Sequence, residues 1–207
     1  GNSGSAIDVI DKFSFATTGN AVDFGNLTGT SDQAGGCADV VRAVRMSGHT
    51  AGSMAVTTDV KFFQSAGNAA DFGDATVSRR IGAGLSNTTR GILGGGHTPT
   101  KQDVIDYITI ASSGNATDFG NMTAIITSAG ATSSSTRGVF GGGNQAPGAV
   151  NVMQYITIDS TGDASDFGDL TAARANVGGS GSPTRGVFAG GYAVSNVIDY
   201  ITIASTG

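Results

Sequence analysis

Four copies of Asp-Phe-Gly recur along the chain, and in protein kinases the Asp of this motif holds a magnesium ion. The copies begin at Asp23, Asp71, Asp118 and Asp166, in steps of 48, 47 and 48 residues. A kinase also needs a His-Arg-Asp loop and a strand lysine, and neither accompanies these copies. We therefore interpret the motif as part of a structural repeat whose phenylalanine packs in the core. These phenylalanines are Phe24, Phe72, Phe119 and Phe167.

Other repeated polar residues also suggest chemistry that a structural role explains better. Asp118 and Asn121, with their equivalents Asp71/Asp74 and Asp166/Asp169, could supply the clustered oxygen ligands that Ca²⁺ prefers. Short polar side chains also cap tight turns, and we favour this interpretation. An arginine recurs with the same period, and we expect it to bond carbonyls or the Asp of an adjacent unit. The arginines are Arg42, Arg90, Arg137 and Arg185.

The most variable repeated position follows a Gly-rich strand in each unit. It holds His49, His97, Asn144 and Tyr192, and the segments around it, such as Ser47–Thr58 and Tyr192–Asn196, differ most between units. A constant frame with variable loops is how a scaffold presents a binding surface, so these four residues are the candidate ligand-binding site. Two histidines could bind a transition metal, but the sequence supplies no third and fourth ligand. We expect no metal, no cofactor and no catalytic residue.

Composition points to strands as the elements that position these residues. Gly accounts for 34 of 207 residues, all 16 acidic residues are Asp, and Trp is absent. A chain without Glu and with only four Leu lacks good helix formers, whereas Thr, Val, Ile and Gly build short strands and turns. The net charge of −5 leaves no basic stripe for nucleic acid, and no apolar run is long enough to insert into a membrane. The single cysteine, Cys37, is expected to be a small buried residue.

Each repeat predicts about four strands. Tyr107-Ile108-Thr109-Ile110 alternates as a half-buried strand does, and the Gly-Val-Phe run beginning at Gly138 fits a strand buried on both faces. A weaker first strand is expected within residues 124–134. We divide the single repeat domain 1–207 into units 1–28 (partial), 29–76, 77–123, 124–171 and 172–207 (partial).

Four strands in 45 to 48 residues are typical of a β-propeller blade. The sequence therefore predicts an all-β fold, a propeller of about four four-stranded blades, with a stacked β-solenoid as the alternative. The first full unit differs, because Arg45 replaces the Phe found at Phe140 and Lys61 replaces the Ile found at Ile108. Since a blade face would bury these charges, we expect this unit to be an end or an interface.

The run Arg137-Gly138-Val139-Phe140-Gly141-Gly142, followed by a strand with a tyrosine, resembles a Kelch repeat. Together with residues 198–207, it also resembles repeats in virion structural proteins of tailed phages that infect marine cyanobacteria. The resemblance implies a non-enzymatic virion structural or tail-fibre-associated module that serves particle assembly or host-surface attachment. Its partners would be other virion proteins or copies of itself, and its location the extracellular particle.

Two other functions remain open from the sequence. One is a secreted glycan-binding propeller whose site is the variable position and the loops near it. The other is a Kelch-type oxidase, which would contain a bound metal detectable by elemental analysis.

Overall fold

The computed structural model describes residues 6–50, 52–192 and 196–206, and the structural statements below concern these residues. They form strands and turns and no helix, which confirms the all-β class. None of them therefore belongs to a helix that could cross a membrane. The ends of the first and last predicted units, and parts of the variable segments Ser47–Thr58 and Tyr192–Asn196, lie outside the described residues.

The described residues form seventeen strands. In chain order they are β1 (Ile7–Lys12), β2 (Val22–Ser31), β3 (Gly35–Ala38), β4 (Arg42–Thr50), β5 (Ser53–Phe62), β6 (Ala70–Asp74), β7 (Ala83–Ser86), β8 (Arg90–His97), β9 (Lys101–Thr109), β10 (Thr117–Asn121), β11 (Gly130–Ser133), β12 (Arg137–Gly141), β13 (Val152–Thr157), β14 (Ser165–Asp169), β15 (Gly178–Gly181), β16 (Arg185–Ala189) and β17 (Ile198–Thr202).

The strands pair into five antiparallel sheets that follow one another along the chain. Sheet 0 contains β1 and β2, and sheets 1, 2 and 3 are the four-stranded sheets β3–β6, β7–β10 and β11–β14. Sheet 4 contains β15, β16 and β17. Each strand pairs with the next one in sequence, so sheets 1 to 3 are simple meanders. By the sequence repeat, β1 and β2 correspond to the third and fourth strands of a full sheet.

The second and third strands form the interior of each sheet. In β8 the six residues between Arg90 and His97 are all buried, as expected for a strand covered on both faces. In β13 the pattern is mixed, with Met153, Gln154 and Ile156 buried and Tyr155 half-buried. The first strands are short and consist mostly of small residues, with Leu85 of β7 the exception, and β11 is Gly-Ala-Thr-Ser.

The hydrophobic core lies between consecutive sheets. Between sheets 2 and 3, Leu85, Ile92 and Phe119 of one sheet pack against Phe140 and Ile158 of the next. Equivalent clusters join sheet 1 to sheet 2 and sheet 3 to sheet 4. Each sheet therefore has a forward face, turned to the next sheet in sequence, and a backward face, turned to the preceding one.

The motif phenylalanines belong to the forward faces, and all four are buried, as predicted. Cys37 is also buried in the cluster between sheets 1 and 2, which confirms its predicted role as a small core residue.

The first strands of consecutive sheets lie in direct backbone contact. A Cβ on Gly84 of β7 would lie 2.2 Å from the carbonyl oxygen of Gly36 in β3, and a Cβ on Gly179 of β15 would lie 2.2 Å from that of Ala131 in β11. No side chain fits into such a gap, so glycine is required at these positions by space.

Candidate functional site

The repeated arginines join each sheet to the next one. Arg42 donates from Nη1 to the carbonyl oxygen of Ala111 at 3.1 Å. Arg90 and Arg137 donate to the carbonyl oxygens of Ile158 and Ile203, each at 3.0 Å. All three acceptors lie directly after the third strand of the following sheet, so the predicted bond to carbonyls of an adjacent unit is confirmed for these three arginines.

The same arginines also stack on aromatic rings of their own sheet. The guanidinium carbon of Arg90 lies 4.5 Å from the ring centroid of Tyr107. Tyr107 in turn meets Phe119 edge to face, with 6.0 Å between the ring centroids. Sheet 3 repeats this stack with Arg137, Tyr155 and Phe167. The Arg, Tyr and Phe of the forward face thus act as one structural group.

Two pairs of buried charges occupy equivalent places in sheets 2 and 4. Arg79, in the linker before β7, lies 2.9 Å from the carboxylate of Asp106 in β9, and both side chains are fully buried. Arg174, before β15, lies 2.7 Å from the carboxylate of Asp199 in β17. Burial lowers the pKa of the Arg79 guanidinium from its ordinary value, and Asp106 opposes that shift. In each pair a carboxylate lies directly beside the buried guanidinium.

In sheets 1 and 3 the positions equivalent to Arg79 and Asp106 hold different residues. In sheet 3 the linker position is Ile126 and the strand position is Gln154, whose Oε1 accepts a bond from the Thr123 hydroxyl at 2.9 Å. In sheet 1 the carboxylate of Asp59 is paired at 2.6 Å with Arg45 of the second strand. The charge of Arg45 is therefore explained by Asp59, which sequence analysis did not connect with it.

Lys61, the other charged residue of sheet 1, lies at the interface with sheet 0. Its ammonium donates to the carbonyl oxygens of Ser65 and Gly67, both at 2.5 Å, and lies 4.0 Å from the ring centroid of Phe24. The backward face of sheet 1 is thus partly covered by a sheet of two strands, as its unusual residues require.

The Arg79–Asp106 pair was not found from the sequence, although a signal for it exists. When the repeats are aligned on Asp-Phe-Gly, the linker position reads Arg79, Ile126, Arg174 and the strand position reads Asp106, Gln154, Asp199. Across these three units the two positions change together from charged to neutral, whereas the first full unit has Ser31 at the linker position and Asp59 at the strand position.

The prediction that the repeated Asp and Asn side chains cap their own tight turns was wrong, because other residues supply the capping side chains. The bonds come from the Gly-Asn-Ala turn of the next unit, where Asn115 Oδ1 accepts from the backbone N–H of Asp74 at 3.0 Å and Asp163 Oδ1 from that of Asn121 at 2.8 Å. Among the Asp-Phe-Gly copies, all of which lie in the described part of the chain, only Asp23 accepts the local turn bond, from the N–H of Gly25 at 3.0 Å. The next turn takes this role because it lies directly opposite the glycine of the motif.

The candidate ligand-binding residues occupy equivalent backbone positions. Each lies in an isolated antiparallel bridge to the linker that precedes its own sheet: His49 with Asp32, His97 with Arg80, Asn144 with Thr127, and Tyr192 with Ala175. Their side chains differ in what they contact. His49 Nδ1 lies 3.3 Å from an Asp32 carboxylate oxygen, Asn144 Oδ1 accepts a bond from Lys101 Nζ, and Tyr192 is 76% exposed.

A hydrogen-bonded row runs across the linkers beside these residues. Ile81 donates its N–H to the carbonyl of Gln33, Ser128 donates to Ile81, and Asn176 donates to Ser128, at 2.7, 3.1 and 2.9 Å. All four residues have left-handed backbone conformations, with φ between 51° and 58°. The row fixes the linkers relative to one another, and with them the end of the molecule that carries His97 and Asn144.

The first strands of sheets 1 to 4 together line one cavity of about 800 Å³. Its lining consists mainly of backbone and of small side chains, including Ser86, Thr132 and Ser180, with Arg45 at one side. In the described part of the chain no group of three or more His, Cys or Asp side chains is placed to hold a metal ion.

The comparison with known proteins adds no assignment to this geometry. No protein-family model matches the chain, and no protein of curated function is significantly similar to it in sequence.

Proposed function

We propose that the chain is a structural and interaction module in which the sheets are the blades of a Kelch-like β-propeller of about four blades. The observation that carries this proposal is the common cavity lined by the first strand of four successive sheets. Blades packed around an axis bring the same strand of each blade to the centre, whereas rungs of a solenoid stack along a line. Small residues suit the narrow space around such an axis.

Small-angle scattering tests the arrangement. A ring of blades of this length has a radius of gyration of about 17 Å, the value for a compact domain of its size. A linear stack of the same sheets would give an elongated pair-distance distribution and a clearly larger radius. That result would overturn the propeller and favour the solenoid.

We further propose that the module is non-enzymatic and belongs to a tailed-phage particle, as a structural or fibre-associated part for assembly or host attachment. The use of the repeated Arg and Phe residues, and of the Asn or Asp in the turn before each fourth strand, in contacts between sheets supports a scaffold role. The assignment to a virion rests on the sequence resemblance described above. Immunogold labelling of purified particles with an antibody to this chain tests it, and label confined to infected-cell debris would contradict it.

A glycan-binding module is the second candidate, and the exposure of Tyr192 favours it. Aromatic rings at exposed positions offer the flat apolar face on which a sugar ring stacks. Binding on a glycan array that is lost in the Tyr192→Ala/His97→Ala variant would support this function. Val40→Ala is the matched control, because Val40 is also exposed (87%) but lies in the turn between β3 and β4. Absence of binding to any glycan would count against this candidate.

A further inference from the structure

We propose that the end of sheet 2 that carries His97 binds an oxyanion, that is, the phosphate, sulfate or carboxylate group of a ligand, on the side chains of Arg80, His97 and Lys101. We call these three residues the cationic row. The inference goes beyond the proposed structural role, and it depends on the strand pairing of sheet 2 rather than on how the sheets are arranged. Applied to the glycan candidate, which shares His97, it specifies a glycan with acidic groups.

The three side chains of the cationic row lie beside one another on one face of the strand ladder. Arg80, in the linker before β7, bridges to His97 through two backbone hydrogen bonds of 3.0 and 2.9 Å. His97, the last residue of β8, pairs with Lys101, the first residue of β9. Directly paired residues of antiparallel strands point to the same face, with their Cβ atoms about 5 Å apart. The pairing therefore places two cations and the imidazole between them next to one another.

The fold does not require charge at these positions, because the equivalent positions of other sheets hold different residues. The equivalent rows are Asp32–His49–Met54 in sheet 1 and Thr127–Asn144–Ala149 in sheet 3. Sheet 3 forms the same backbone bridges without any charged side chain. Among the rows of sheets 1 to 3, all of which lie within the described residues, only that of sheet 2 consists of basic residues alone.

No carboxylate is paired with the cationic row. The described residues form five ion pairs, and none of these includes Arg80, His97 or Lys101. Asp103 follows two residues after Lys101 on the same face of β9, but the two form no ion pair. Like charges at directly paired positions destabilise a sheet, and a bound anion removes this repulsion. Since the net charge of the whole chain is −5, this cluster does not follow from a generally basic composition.

The cationic row has more hydrogen-bond donors than the protein uses. Arg80 Nη1 donates to Gln33 Oε1 at 3.1 Å, and Lys101 Nζ donates to Asn144 Oδ1. Within the part of the chain that the structure describes, Arg80 Nε and His97 Nδ1 are enclosed and have no hydrogen-bond partner. A guanidinium has five N–H donors and an ammonium has three, so further donors remain for a ligand.

These donors fit a single oxyanion. Charge-assisted hydrogen bonds from Arg and Lys to an oxyanion are roughly twice as strong as bonds between neutral groups. The bonds to Gln33 and Asn144 hold the two ends of the row, with His97 between them. A row of three side chains matches one anionic group and not a nucleic-acid backbone, which needs a longer basic stripe.

An NMR titration tests the site. The isotope-labelled chain is titrated with sodium phosphate, and separately with sodium glucuronate, at fixed pH and at constant ionic strength, so that general screening of charge does not change. We expect saturable shifts of the backbone amides of His97 and Lys101 with at least one of the two anions. His49 is the internal control, because its carboxylate neighbour Asp32 lies 3.3 Å away, and its amide should show no saturable shift.

The variant Arg80→Thr/His97→Asn/Lys101→Ala gives sheet 2 the row of sheet 3, whose residues fit the same bridges. We expect its dissociation constant for the anion to rise by about tenfold or more. Lys101→Ala alone should also weaken binding, and this single change keeps the rest of the row. Lys12→Ala is the charge-matched control, because Lys12 is an exposed residue of β1, and it should leave the dissociation constant unchanged. Equal weakening by Lys12→Ala and Lys101→Ala would overturn the site.

The choice of probes separates the sources of the oxyanion. Saturation by glucuronate supports an acidic glycan, whereas saturation by phosphate alone supports a free inorganic anion. Neutral glucose should not shift the amides of the row, and equal shifts with glucose and glucuronate would overturn the inference. Failure of both anions would also overturn it. That result would leave intact the proposed module, which scattering tests, and the glycan candidate, which the array tests with neutral sugars as well.

Discussion

Two pairs of buried charges, Arg79 with Asp106 and Arg174 with Asp199, join a sheet to the linker before it. Asp106 is bonded to Arg79, and its carboxylate also accepts a bond from the N–H of Thr76 at 3.2 Å. The variant Asp106→Asn keeps an acceptor for Thr76 but leaves the Arg79 charge buried without a counter-charge. We expect a loss of about 3–5 kcal/mol in the free energy of unfolding, measured by urea denaturation.

The double variant Arg79→Ile/Asp106→Gln is the matched control, because it gives sheet 2 the neutral pair that sheet 3 already has. Replacement of a buried ion pair by uncharged residues often changes the free energy of unfolding little. The double variant should therefore recover most of the stability that Asp106→Asn loses. If the double variant is as unstable as Asp106→Asn, the charge of Arg79 is not the cause.

Cys37 is expected to be chemically inert in the folded protein. Burial, with a smaller contribution from Asp39, raises the pKa of its thiol from 9.0 to about 12. At about pH 8 the thiol is therefore protonated as well as enclosed, and the thiolate is the reactive form. Iodoacetamide should leave the native protein unmodified and label it fully in guanidinium chloride. Rapid labelling of the native chain would contradict the placement of Cys37 in the core.

The same pKa shift predicts a loss of stability in alkali. The folded pKa lies above that of the unfolded chain, so the contribution of the neutral thiol is complete below about pH 9 and is lost as the pH rises towards 12. Cys37→Ala should lack this part of the pH dependence.

Individual residues could be predicted from sequence where they repeat unchanged. The four motif phenylalanines and the arginines at Arg42, Arg90 and Arg137 follow from their period alone, because a residue repeated in every unit serves every joint. The pairing of Arg45 with Asp59 could not be predicted in this way. Its arginine comes from the second strand rather than the linker, and only three-dimensional proximity reveals the partner.

At the scale of strands, the closest contacts are between the backbones of neighbouring first strands. Gly84→Ala would place a Cβ 2.2 Å from the Gly36 carbonyl oxygen, and backbone on both sides leaves no flexible group to move away. We expect a loss of at least about 2 kcal/mol in unfolding free energy, measured by thermal or urea denaturation.

Gly29→Ala in β2 serves as the control, since a Cβ there meets nothing within 4 Å. Its effect should stay within about 0.5 kcal/mol. If Gly84→Ala and Gly29→Ala lower the free energy of unfolding equally, lack of space is not the reason why glycine is needed at residue 84.

The second and third strands were predictable because their apolar residues alternate or run continuously. Residues 104–110 and 138–140 were assigned to strands on this basis, and both lie largely in strands, β9 and β12. The first strand was only located within residues 124–134, because Gly-Ala-Thr-Ser has no hydrophobic period. β11 exists through its pairing with β12 and its contact with β7 and β15, which are tertiary effects.

At the scale of the whole molecule, the repeat of 47 or 48 residues predicted a series of similar sheets, and the structure has such a series. How successive sheets are oriented relative to one another depends on the angle between each pair of sheets, which arises from close packing and not from sequence spacing. The His49, His97, Asn144 and Tyr192 positions were likewise found equivalent by alignment, but the sequence did not indicate that Asn144 contacts Lys101.

The buried charge pairs have a consequence for how such a gene changes. Arg79 and Asp106 both lie within residues 77–123, Ile126 and Gln154 within 124–171, and Arg174 and Asp199 within 172–207. Recombination that inserts or deletes one segment at these boundaries therefore transfers both members of a pair together. The gain or loss of one such segment therefore leaves no buried charge in the protein without its partner.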